Sequence, residues 1–370
     1  MIATACNPTL DEKIGQLIAI GFHGASPGDE GVRRVTRQVK AGKVSGVVIY
    51  RYNIKGPRQL NSLLKPIHDA SGPLPLFVMI DQEGGRVQRL HGQNGFFDTL
   101  SAKRVASEMD VAEAQRHYDK MGAMLKKTGF NINLAPCVDL GDDPPSEAIG
   151  QLERSYSSDP QTISDYAEAM VEGLRVHGVL SCLKHFPGHG RARGDSHMGL
   201  VDITKTWLAD ELWPYRKLIS RGAADAVMTA HLIHNQVDPD TPATLSTTWI
   251  NRLRTDIGFD GVVVADDLHM GAIIRRYSLG DVLIKGLNAG LDLFLFSNNP
   301  LAEKTQGIRQ DSNSPVVTTG KGGWSVPDPD LPEKIIRTVK KAVSDGSIDP
   351  SVIDRAYNRV VHLKQRLFIC

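Results

Sequence analysis

Three things are scarce in this sequence, and each scarcity removes a class of protein. No apolar run approaches the roughly 20 residues needed to span a bilayer, so a membrane is not an expected partner. Charge of one sign is missing too: 43 basic residues face 42 acidic ones, for a net charge of +1. That balance gives no electrostatic case for binding nucleic acid or an anionic surface. Cysteine is sparse. Cys6, Cys137, Cys182 and Cys370 form no CxxC pair and no disulfide framework. Cys137 and Cys182 lie in apolar runs and read as buried free thiols, which fits a reducing compartment. The first six residues lack the basic and apolar stretches of a secretory leader. A cytoplasmic location is therefore expected, with a secreted or lipid-anchored form processed near Cys6 as the alternative.

What is present is ordinary globular material, 370 residues of which 41% are hydrophobic and 23% charged. Eight short apolar runs bounded by glycine, proline or polar clusters read as strands. They are 16–22, 46–50, 76–80, 130–135, 180–183, 226–230, 262–265 and 291–296. Segments of helical period lie between them, among them 101–128, 160–177, 248–257 and 279–289. Eight alternations with near-continuous apolar strands predict an α/β fold, a (β/α)8 TIM barrel, as a single domain over 1–370. A doubly wound open sheet is the alternative, but the glycine-rich turn expected after its first strand is missing. Residues 299–332, rich in Pro, Gly, Ser, Thr and Asn, read as a long loop insertion after the last strand. Helices over 330–345 and 350–367 are expected to close the barrel.

Polar residues cluster where these strands should end, which in a barrel is one mouth. The fifth run is followed by Lys184-His185-Phe186-Pro187-Gly188-His189-Gly190, then four residues, then Asp195-Ser196-His197. Pro187, Gly188, Gly190 and Gly194 predict a mobile loop. Asp195 and His197, two apart in extended chain, share a side, so the carboxylate can hold one imidazole nitrogen and suit the ring to acid/base work. His185 and His189 are the rival acids. The seventh run leads rigidly into Asp266-Asp267, and a nucleophilic carboxylate needs such a fixed position. Asp267 competes with Asp266 for that role, although a capping role suits it better. Asp81, Arg89, Arg154, Lys184 and His185 supply planar and bidentate groups of the kind that hold sugar hydroxyls. No HExxH or His-x-His pattern supports a metal, and no cofactor is expected.

The string KHFPGHG-x4-DSH resembles the signature of family-3 glycoside hydrolases that remove β-linked N-acetylglucosamine. Gly261–Met270, the run IDQEGGRVQRL from Ile80, ERSY from Glu153 and DPDTPATLS from Asp238 are similar to that family's segments as well. The resemblance covers most of 10–296 and departs in two places. Ala265 stands where Ser or Thr is common, and the stretch before Arg154 is two residues longer. It implies that Asp266 attacks the anomeric carbon, that His197 is the acid/base and Asp195 its support. It also implies that Asp81, Arg89, Arg154, Lys184 and His185 bind the sugar.

The expected function is thus retaining exo-β-N-acetylglucosaminidase action on cell-wall muropeptides or chitooligosaccharides. The partner is then a small N-acetylglucosamine-containing carbohydrate. A phosphorylase remains open, because a neutral histidine acid leaves room for an anionic acceptor. A β-glucosidase of the same fold usually takes its acid from a second domain, which this chain does not show. A non-catalytic sugar-binding barrel would not need Asp266, Asp195 and His197 together.

Overall fold

The computed structural model describes residues 8–194, 199–298 and 326–368. Asp195, His197, Cys6, Cys370 and residues 299–325 of the expected insertion lie outside them. Ten strands occur among the described residues: β1 (Ile18–Gly21), β2 (Gly46–Val48), β3 (Phe77–Ile80), β4 (Ile132–Asn133), β5 (Leu180–Phe186), β6 (Val201–Asp202), β7 (Ala226–Thr229), β8 (Leu232–Ile233), β9 (Val262–Ala265) and β10 (Phe294–Phe296).

Eight of them form one parallel sheet in the order β10-β1-β2-β3-β4-β5-β7-β9. The sheet curls shut. Val264 bridges Leu293 in parallel, and the Leu268 N–H reaches the Leu295 carbonyl at 3.0 Å, tying β9 to β10. Each of the eight apolar runs marks one barrel strand, and β5 continues three residues past its run, through Lys184, His185 and Phe186. All eight strands are buried along their length, because helices cover the outside and side chains fill the inside. β6 and β8, two residues each, make a separate parallel ribbon that the sequence pattern does not reveal.

Helices wrap the barrel close to the expected places. Pro160–Arg175, Leu279–Ala289, Leu331–Ser344 and Pro350–Gln365 each keep an apolar face inward. The helix expected over 101–128 is two. Ala102–Glu108 ends at Met109, and Asp110 starts Val111–Lys127 with a capping box, its side chain accepting from the Glu113 N–H. The segment read as helix from 248 is α-helical over Thr247–Asn251 and π-helical over Arg252–Asp256. Cys137 and Cys182 are buried free thiols. Among the described residues no helix is long and apolar enough to cross a membrane.

Candidate active site

Parallel strands aim their carboxyl ends at the same mouth, and one pocket there gathers most of the sequence candidates. Its lining includes Asp81, Arg89, Arg154, Lys184, His185, Asp266 and Asp267, with Tyr50. The segment after β3 supplies the first of these. Gln82 staples it: its side-chain oxygen accepts from the N–H groups of Arg89 at 2.9 Å and Leu90 at 3.0 Å. The Arg89 guanidinium thereby turns back onto the Asp81 carboxylate, 3.0 Å away. The other Asp81 oxygen accepts from Lys184 Nζ at 2.9 Å. The carboxylate expected to take two sugar hydroxyls is therefore already in two ion pairs, with only its remaining lone pairs to offer.

Glu83 completes the pattern and is the residue that reading the sequence overlooked. Its carboxylate takes a bidentate pair from Arg154 at 2.9 and 2.8 Å and a third contact from Lys184 at 2.7 Å. Burial alone would raise the Glu83 carboxyl, but Arg154 and Lys184 override it and hold the group well below the usual carboxylate range. Burial likewise opposes the charges of Arg154 and Lys184, and their acidic partners more than offset it. The longer stretch before Arg154 does not displace it. The 3-10 turn Gly150–Leu152 precedes it, and the Ala148 carbonyl accepts from Nη1 at 2.9 Å.

Strand residues normally alternate faces, yet Lys184 and His185 both line the pocket. The β5 register shifts between Leu183 and Phe186, which breaks the alternation there. His185 is fixed at both nitrogens. Nδ1 lies 2.6 Å from Asp139 Oδ2, and Nε2 lies 3.0 Å from Arg154 Nη2. In the sequence Asp139 is only a polar residue near a strand end. In the fold it also accepts from the main-chain N–H groups of His185 and His189. Burial would raise its carboxyl, but these partners keep it well below the usual range.

Cys137, Asp139 and His185 place three donor atoms within 4.8 Å of one another. The Asp139 oxygen that faces His185 Nδ1 also accepts from the Cys137 thiol at 3.2 Å. The cluster is a hydrogen-bonded brace for His185.

At the end of β9, Asp266 is half-buried, its N–H on the Thr229 carbonyl and one oxygen accepting from the Asp267 N–H at 2.8 Å. Asp267 is buried, and one of its oxygens takes the N–H groups of His269 at 3.1 Å and Ser297 at 2.8 Å. That carboxylate stitches the turn after β9 to the end of β10. Asp266 is the more accessible of the two. His189, a rival acid, is buried, and burial pushes its imidazole down to about 4.

Two of the glycines that predict a mobile loop after β5, Gly188 and Gly190, are points of close approach. A Cβ on Gly190 would lie 1.9 Å from the Leu140 carbonyl oxygen, and one on Gly188 would lie 2.5 Å from Glu211 Cβ. Residues 187–190 are buried, and these two glycines let the backbone pack that closely. Asp195 and His197, which follow, lie outside the described residues.

A mouth of this kind on a parallel barrel invites comparison with known proteins. A family model described as the glycosyl hydrolase family 3 N terminal domain matches residues 9–363. The chain is 33% identical over 362 residues to the beta-hexosaminidase LpqI of Mycobacterium tuberculosis, spanning 95% of this chain and 82% of that one. It is 33% identical over 293 residues to a beta-hexosaminidase of Tolumonas auensis, spanning 76% and 85%. Among solved structures, the glycoside hydrolase family 3 beta-N-acetylglucosaminidase of Paenibacillus sp. str. FPU-7 superposes with a TM-score of 0.83 at 32% identity. The match covers 98% of this chain and 63% of that longer one. The beta-N-acetylhexosaminidase of Beutenbergia cavernae superposes with a TM-score of 0.81 at 28% identity, over 97% and 99% of the two chains. The motifs, the closed barrel and relatives matched along nearly the whole sequence agree: the chain belongs to glycosyl hydrolase family 3.

Proposed function

We propose that this protein is a retaining exo-β-N-acetylglucosaminidase that releases terminal β-linked N-acetylglucosamine from cell-wall muropeptides or chitooligosaccharides. The observation that carries the reading is the half-buried Asp266 carboxylate at a mouth lined by Asp81, Arg89, Arg154, Lys184 and His185. The names of the relatives support it. In this mechanism Asp266 attacks the anomeric carbon while His197, supported by Asp195, protonates the departing oxygen. Water then attacks the glycosyl-enzyme with His197 as base, which restores both residues. Lys184, Arg89 and Arg154 hold hydroxyls through N–H bonds not used by Asp81 and Glu83. The single domain with an insertion over 299–332, and a reducing, cytoplasmic setting for Cys137 and Cys182, belong to the same proposal.

The test is turnover of a 4-nitrophenyl N-acetyl-β-glucosaminide against the matching β-glucoside, with and without phosphate, and NMR of the first sugar released. The proposal expects the N-acetyl substrate to be favoured, no requirement for phosphate, and a β-anomer first. An initial α-anomer rules out the covalent route. Strict phosphate dependence would make the protein a phosphorylase, but the pocket does not favour that outcome. Its three cations, Arg89, Arg154 and Lys184, face four carboxylates, Asp81 and Glu83 in ion pairs with them and Asp266 and Asp267 beside them.

A further inference from the structure

Glu211 is 1% exposed, yet none of the chemistry above uses it. It sits in the 3-10 turn Ala209–Leu212, at a junction of three segments. From the chain after β4 comes Leu140, whose N–H faces its carboxyl. From the loop after β5 comes the Arg191 N–H, 3.2 Å from Oε1. Gly188 lies flat against the side chain, so close that a Cβ there would stand 2.6 Å from Oε2. Oε2 itself has no hydrogen-bond partner among the described residues. The neighbours strengthen the junction. The Arg191 guanidinium grips Asp210 at 2.7 and 3.2 Å, and the Trp207 indole N–H donates to the Pro187 carbonyl at 3.0 Å. On the far side Arg193 reaches Asp142 at 2.6 Å and the Pro144 carbonyl at 2.9 Å.

We propose that Glu211 is a positioning residue, which holds the Gly188–Arg193 base of the loop against the segment bearing Asp139 and so supports the acid that the glycosidase reading assigns to that loop. The inference rests on the glycosidase reading only where it assigns the acid to that loop. Three ionisable groups face Glu211: Asp139 from the segment after β4, Arg191 from the loop and Tyr215 from its own side. Burial, then Asp139, pushes the carboxyl up to about 8, so near neutral pH it is a neutral acid accepting the Arg191 N–H. Glutamine is then the conservative replacement, and leucine the volume-matched one that removes the acceptors.

Hydrogen exchange over the loop in the full chain reads the anchor without reference to catalysis. Glu211→Leu should speed exchange at the Arg191 amide about tenfold or more, and Glu211→Gln should restore protection. Kinetics read the consequence. On a glycoside with a poor leaving group, Glu211→Leu should lose about tenfold or more in kcat with KM little changed. The pre-steady-state burst on a dinitrophenyl glycoside, which leaves unaided, should persist. If Glu211→Leu does not fold, Asp210→Ala loosens the same clamp from its solvent side and should raise Arg191 exchange severalfold. Unchanged exchange in the folded variant, or equal losses on both substrates, overturns the proposal. A wild-type enzyme inactive on every N-acetylglucosaminide overturns the functional reading instead, and leaves the exchange result to judge the anchor.

Discussion

Asp139 Oδ2 and His185 Nδ1 are 2.6 Å apart in a buried contact, and Arg154 occupies the opposite ring nitrogen at 3.0 Å. An arginine N–H can only donate, so Nε2 accepts and the ring proton sits on Nδ1, directed at Asp139. Both nitrogens are then engaged, which fixes His185 as part of the pocket wall and argues against it as the acid.

Asp139→Asn tests this arrangement. An amide keeps one acceptor but turns an NH2 toward some of the donors the carboxylate now receives. The loss of an orienting carboxylate is expected to cost about 10–100-fold in kcat/KM. With the acid assigned to His197 rather than His185, the loss is expected to be similar for activated and unactivated aglycones. Steady-state kinetics on the two substrate classes would check it.

His197→Ala should behave differently. General acid help is worth about 10²–10⁴-fold when the leaving group needs a proton. Disaccharides should suffer that loss, whereas a dinitrophenyl glycoside should still give a burst, followed by slow turnover because the second step lacks its base. Asp195→Ala should follow the same pattern more mildly, and Asp266→Ala should give no burst on either substrate. A His197→Ala burst equally slow on both substrates would return suspicion to His189, or to His185 despite its engaged nitrogens.

Glu83→Gln should be a stability variant as much as a kinetic one. Removing one member of a buried ion-paired cluster costs roughly 3–5 kcal/mol, because its partners are left uncompensated. Chemical denaturation would measure it. The pH sign follows from the depressed Glu83 and Asp139 carboxyls. The unfolded chain takes up protons first as pH falls through the ordinary carboxylate range, so wild-type stability is present above that range and lost below it. Glu83→Gln should show a shallower acid limb.

Lys364, at the other end of the barrel, gives a slope of the same sign in a higher pH window. Its amine is buried beneath the strands, 2.8 Å from Gln16 Oε1, 3.0 Å from the Ser45 carbonyl and 4.8 Å from the Phe77 ring centroid. Burial pushes it down to about 7 from an ordinary 10.5. Between those values the unfolded state holds more protons, so this residue makes stability rise with pH across that window, by at most about 1.4 kcal/mol for each pH unit crossed. Lys364→Met should flatten the dependence, and melting temperatures measured from neutral to alkaline pH would show it.

The barrel was legible because its evidence is local. A strand buried on both faces must be apolar along its length, and each of the eight runs marks one. The split at Asp110 was legible too, since Asp110 and Glu113 have capping-box spacing, but helical periodicity on both sides masked it. β6 and β8 left no pattern because two residues carry no period. In the site, Asp81, Arg89, Arg154, Lys184 and His185 stood out through motif and position. Glu83, Asp139 and Glu211 did not, because what singles them out are partners tens of residues away in sequence. Gly188 and Gly190 carry a packing role that did not show for a related reason. A glycine that permits motion and one that admits Leu140 or Glu211 look alike until the neighbour is known.

Arg89, Asp81, Lys184, Glu83 and Arg154 form one row of alternating charge running across the floor of the pocket. Such a row is epistatic by construction. A single replacement leaves a neighbour stranded, so a new sugar preference cannot be reached by testing these positions one at a time. Viable routes pass through paired exchanges, and a library that varies Asp81 with Arg89, or Glu83 with Arg154, would sample sequences that single-site saturation discards as dead.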